Sequence, residues 1–91
     1  MSYILNIHPK ALKEIQRLSS QDIKRVEKKI DALTTNPRPN GYIKMTNYES
    51  ERVSSDEFYR IKIGDNRITY IIEDKIITIT IVQVKKRGDI Y

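Results

Sequence analysis

From Phe58 onward the chain reads as sheet. "FYRIKI", "RITYIIE" and "KIITITIVQVKK" are runs of Ile, Tyr, Thr and Val parted only by the short breaks "GDN" and "EDK", and β-branched and aromatic residues in such runs suit a pleated surface. Breaks this short cannot hold a crossover helix, so the runs are predicted to form a three-stranded antiparallel meander. Alternation then sorts the side chains: Tyr59, Ile61 and Ile63 face one way, and Phe58, Arg60 and Lys62 the other. The first set suits a core. The second places cations on an open face. If Gly64–Asn66 closes the first hairpin, Arg67 begins the partner strand near Ile63 and projects toward the face of Lys62. Further on, Lys85 and Arg87 share a face and Lys86 takes the other. These cations are either ordinary sheet-surface residues, paired with Glu57, Glu73 or Asp74, or the makings of a site.

The apolar face of such a meander needs cover, and the N-terminal part of the chain supplies it. "YILNI", residues 3–7, reads as a short strand that His8 and Pro9 end, with Pro9 suited to the first turn of a helix. In "PKALKEIQRL", Leu12, Ile15 and Leu18 with Ala11 make an apolar stripe, and Lys10, Lys13, Glu14 and Arg17 are expected to face water. Ser19 followed by Asp22 resembles a capping box that starts a second helix over about 20–35. That helix carries Ile23, Val26, Ile30 and Leu33 on one seam, and its "KRVEKK" run reads mainly as a solvated face. "TTNPRPNG" ends it. Residues 42–57 show no sustained period and are expected to be a mobile surface loop. Its portion from Glu49 onward, with Glu49, Glu51, Asp56 and Glu57, suits a solvated insertion and is ill matched to an RNA backbone. The predicted class is α+β, in the order β-α-α-β-β-β.

Composition limits the functions open to such a fold. With 91 residues, the chain is expected to form one domain over 1–91. The balance of 17 Lys and Arg against 12 Asp and Glu, a formal charge of +5, favours encounters with polyanions. The absence of Cys excludes disulfides, thiolate catalysis and thiolate metal sites. No segment approaches the apolar length of a membrane span or a signal sequence, so a cytoplasmic protein with no membrane partner is expected. The sole histidine, His8, sits where a helix begins and reads as a cap or surface residue, which excludes a ribonuclease built on a histidine pair.

The order "HPKALKEIQRL", "NPRPNG", "YRIKIGDNRITY" and "VKKRGDIY" resembles the RelE/ParE superfamily of bacterial toxins over essentially the whole chain. The resemblance implies a compact α+β toxin neutralised by a cognate RelB-like antitoxin, with the toxin–antitoxin complex binding operator DNA. In the RelE branch it implies a ribosome-dependent endonuclease that cuts mRNA in the ribosomal A site. Carried onto this sequence, the family's basic pair falls on Arg60 and Lys62, the arginine opening the third strand on Arg67, the arginine after the fourth on Arg87, and the terminal tyrosine on Tyr91. Lys86 stands where many relatives have histidine, and Arg60 where some have lysine; Lys86 and Lys44 are auxiliary candidates. The alternatives are a ParE-like inhibitor of DNA gyrase and a non-catalytic relative that only binds its antitoxin.

Internal RNA cleavage requires a deprotonated 2′-hydroxyl, in-line attack on phosphorus and a stabilised 5′-oxygen, and cations can serve all three needs. Like charge from Arg60 and Arg67 would favour the neutral amine of Lys62, the candidate general base. Arg60 and Arg67 would grip the phosphate as forks, Arg87 would sit near the leaving oxygen, and Tyr91 would stack on a splayed base. No step calls for a metal or another cofactor.

Overall fold

Pro9 and Ser19 set the helix boundaries. In the computed structural model, which describes residues 2–87, strand β1 (Ile4–Ile7) runs into helix α1 (Pro9–Gln16), and His8 caps that helix by accepting a hydrogen bond from the Lys10 N–H at its Nδ1. Ser19 Oγ accepts from the Asp22 N–H at 3.2 Å to open helix α2 (Ser20–Thr35), as the capping-box pattern predicts. Strands β2 (Ile43–Met45), β3 (Phe58–Ile63), β4 (Asn66–Glu73) and β5 (Thr78–Lys86) follow. The expected strand, helix hairpin and meander are all present, joined in one five-stranded sheet of order β1-β5-β4-β3-β2. β1 lies parallel to β5, and every other neighbouring pair is antiparallel.

The helices cover one face of this sheet. Ala11 and Ile15 from α1 and Val26, Ile30 and Leu33 from α2 are buried with Tyr59, Ile61, Ile68, Tyr70, Ile79, Ile81 and Val84 from the strands. The alternation of β3 therefore sends Tyr59 and Ile61 inward as expected. Two positions of α1 differ from the sequence reading: Leu12 is 44% exposed, and Glu14 is buried. Helix geometry explains both. At about 100° per residue, Leu12 lies about 100° from Ala11, whereas Glu14 lies only about 60° from it, just beyond Leu18 on that side.

Residues 42–57 are not a bare surface loop. Ile43–Met45 pairs with β3, Ile43 opposite Arg60 and Met45 opposite Phe58. Past β2 the segment folds back over the outer face, where Met45, Tyr48 and Val53 pack on a second apolar cluster of Phe58, Ile71 and Val82. The rings of Tyr48 and Phe58 meet edge to face at 5.0 Å. The outer face thus has two halves, one apolar and covered, one polar and open.

Candidate active site

Register builds the open half. The β3–β4 hairpin turns on Gly64 and Asp65, with Gly64 at φ +60, suiting a glycine-first two-residue loop. Asn66 therefore joins the ladder opposite Ile63, and Arg67 stands opposite Lys62, one position further along than the sequence reading put it. On the other side of β4, Arg67 stands opposite Lys85. Residues directly opposite across a ladder point to the same face with Cβ atoms about 5 Å apart, so Lys62, Arg67 and Lys85 form one row across three strands. The neighbouring row is Arg60, Thr69 and Gln83. Arg60 also borders an open groove of about 660 Å³ formed by β2 and the segment that follows it.

A bulge in β5 places Lys85 in this row. Thr69 pairs with Gln83 but Tyr70 with Ile81, leaving Val82 as an extra residue. Ile79 and Ile81 face the helix-side core, Val82 the outer cluster, and Val84 the helix-side core again. Unbroken alternation from Ile81 would have turned Lys85 inward.

Past the bulge, β5 is held from its edge by α1 and the 46–57 segment. Glu14 Oε1 accepts from Arg52 Nη1 at 2.7 Å and from the Val84 N–H at 3.1 Å, and Oε2 accepts from Arg52 Nη2 at 2.9 Å and Lys85 Nζ at 2.7 Å. Arg52 Nη1 also donates to the Val82 carbonyl at 3.0 Å. Burial pushes the Glu14 carboxyl up, but the hydrogen bonds from Arg52, Lys85 and Val84 outweigh it and hold the group at about 2. Neither residue was a sequence candidate: Glu14 was read as facing water and Arg52 as part of a solvated insertion. The available signal was an acid bordering the apolar stripe of α1.

The remaining candidates are distributed unevenly. The Arg87 N–H donates to the Asp65 carbonyl at 2.7 Å, which brings Arg87 to the β3–β4 turn, at the same end of the sheet as Lys62 and Arg67. Lys86 lies opposite Asn66, on the face away from the row. Lys44 is opposite Tyr59 and so points to the helix side, where it pairs with Glu57 at 3.4 Å. The hydrogen bond from Tyr59, then Lys44, holds the Glu57 carboxyl below the usual range. Asp74 pairs with Arg38 at 2.9 Å. Lys62 and Arg67 enter no ion pair among the described residues. Tyr91 lies outside the described residues.

Comparison with known proteins shows the family. The profile of the ParE toxin of type II toxin–antitoxin systems matches residues 5–91. The chain belongs to the ParE/RelE toxin family. A Methanocaldococcus jannaschii protein named as toxin RelE1 is 33% identical over 82 residues, which cover 87% of this chain and 86% of that protein. The archaeal RelE–RelB complex from Pyrococcus horikoshii contains a chain 29% identical to the toxin, with a TM-score of 0.79 and 97% and 98% of the two chains covered. The isolated Escherichia coli RelE toxin, at 22% identity, shares the fold with a TM-score of 0.74, covering 96% of this toxin and 86% of that chain. This protein is therefore a RelE-like toxin of a type II toxin–antitoxin system. Its described part contains no helix long and apolar enough to cross a membrane.

Proposed function

We propose that the toxin is an endoribonuclease that cleaves mRNA in the ribosomal A site and thereby stops translation. The observation that supports this best is the cross-strand row of Lys62, Arg67 and Lys85, with Arg60 one position along and Arg87 at the adjoining turn. Like charges directly opposite one another destabilise a sheet, so concentrating them on an open face serves an anionic ligand better than it serves folding. In this reading Lys62 takes the proton of the 2′-hydroxyl, and the resulting oxyanion attacks the adjacent phosphorus in line. Arg67 and Arg60 hold the non-bridging oxygens through the five-coordinate transition state. The P–O5′ bond breaks to leave a 2′,3′-cyclic phosphate, with Arg87 stabilising the departing 5′-oxygen, which takes its proton from water. Tyr91 stacks on the neighbouring base and orients the nucleotide. None of these steps requires a metal or other cofactor.

The open, shallow form of the site also gives the ribosome a role. Three strands of cations hold a phosphate but do not bend the chain into an in-line geometry, and a ribosome presenting the codon supplies that positioning. The partner in restraint is a RelB-like antitoxin, in keeping with the P. horikoshii complex, binding through a segment that folds on contact and forming with the toxin a complex that binds operator DNA. The deciding assay incubates the toxin with a short defined mRNA, with and without programmed ribosomes, and maps cuts by primer extension. Cuts at the A-site codon only with ribosomes, lost in Lys62→Ala, are expected. A second reading, inhibition of DNA gyrase, is favoured by the ParE description of the matching family. Absence of cuts together with inhibited supercoiling would replace the first reading with it.

A further inference from the structure

The end of β5 pairs with β4 alone. β1 stops where Ile7 meets Ile81, so no strand flanks the outer edge of β5 beyond that point, and the bulge at Val82 interrupts the ladder on the inner side. Glu14 and Arg52 replace what is missing: the Val84 N–H donates to the Glu14 carboxylate, and the Val82 carbonyl accepts from Arg52. From this short stretch extend Lys85, in the row with Arg67, and then Arg87, tied by its N–H to Asp65.

We propose that Glu14 is a positioning residue of the candidate active site, holding the Lys85 ammonium and fixing the end of β5 so that Lys85 stays opposite Arg67 and Arg87 leaves the sheet at the β3–β4 turn. The inference rests on the endoribonuclease reading. A carboxylate is the group this place demands. Its two oxygens take four donor contacts, three of them from two cations. A glutamine offers one acceptor oxygen and turns an NH₂ group on the remaining donors. Glu14 reaches the reaction only through β5 and Lys85, and so its influence should appear in turnover and not in folding alone.

The test measures ribosome-dependent cleavage by Glu14→Gln, Lys85→Gln and the double variant, each confirmed as folded by circular dichroism. Glu14→Gln is expected to lower kcat about tenfold with KM nearly unchanged, and the double variant to be no worse than Glu14→Gln alone, because groups acting as a unit are not additive. Unchanged kcat in Glu14→Gln, or multiplicative effects in the double variant, would overturn the proposal. Amide hydrogen exchange on the free protein runs beside it and does not depend on cleavage. The Val84 and Arg87 amides are expected to exchange about tenfold faster in Glu14→Gln, while Ile68 in β4 keeps its protection. If the wild-type protein itself fails to cut, the endoribonuclease reading falls, and the exchange arm alone decides whether Glu14 holds the end of β5. Unchanged protection at Val84 refutes the proposal under either reading. Should Glu14→Gln not fold, Arg52→Gln carries the same two readouts with the same expected directions.

Discussion

Acid should loosen this protein through one identified carboxylate. Glu14 is held at about 2 from an ordinary value of 4.5, which corresponds to roughly 3 kcal/mol of stability. The folded-state value is the depressed one, so the stabilisation is complete above about pH 4.5 and is lost as pH falls toward 2. Glu57 and Asp74 are also held low, by Tyr59 with Lys44 and by Arg38 with Tyr3, but both persist in a Glu14→Gln variant and cancel in the comparison. Urea unfolding of the two proteins, followed by far-UV circular dichroism at fixed ionic strength, should therefore give a stability difference that depends on pH. That difference is expected to be largest at pH 5 and to shrink by roughly 2–3 kcal/mol on going to pH 2.5. A constant offset across the range would mean that Glu14 titrates alike in the folded and unfolded chains, and the four-donor cluster would lose its energetic meaning.

Other consequences can be checked on the same preparation. Lys62→Ala and Arg67→Ala should each abolish growth inhibition while keeping the native circular dichroism spectrum; unfolding of either would show a structural role. Lys62→Thr removes a like charge opposite Arg67 and should raise stability by roughly 0.5 kcal/mol at low salt, fading at high salt, which a paired urea titration would reveal. Thr69 is fully buried and its hydroxyl has no hydrogen-bond partner among the described residues. Thr69→Val is thus expected to stabilise by about 1 kcal/mol, and a loss of that size would point to a bond not accounted for. Ser19→Ala should cost about 1 kcal/mol through the lost cap on α2, readable as a lowered urea midpoint.

What could be read from the sequence follows the range of the forces involved. The α2 cap, the apolar seam from Val26 to Leu33 and the outward face of Arg60 and Lys62 depend on neighbours a few residues away, and local periodicity reports them. Arg67 was placed one residue early because the glycine turn takes only Gly64 and Asp65, returning Asn66 to the ladder. Glu14 was misassigned because its partners, Arg52, Val84 and Lys85, lie far along the chain, and an acid on a helix ordinarily faces water. The 42–57 segment showed no period because β2 is only three residues long and the rest lies across the sheet as irregular chain anchored by Tyr48 and Val53. Of the five residues placed at the site by family likeness, the structure gathers Arg60, Lys62, Arg67 and Arg87 at one end of the sheet. It turns the auxiliary candidate Lys44 to the opposite face.

The extra residue in β5 leaves that strand tolerant of one change in length, the loss of the bulged residue itself. A strand's side chains follow a two-beat alternation, and Val82 shifts the beat once, so the segment before it and the segment after it are written in different reading frames. Deleting Val82 would restore an unbroken beat, with Ile81 still opposite Tyr70, Gln83 opposite Thr69, Val84 in the core and Lys85 opposite Arg67, and would cost the outer cluster one of its three buried members. Losing a residue elsewhere in β5 would exchange core for cation along the rest of the strand, but losing the one extra residue between Ile81 and Gln83 keeps each on its own face.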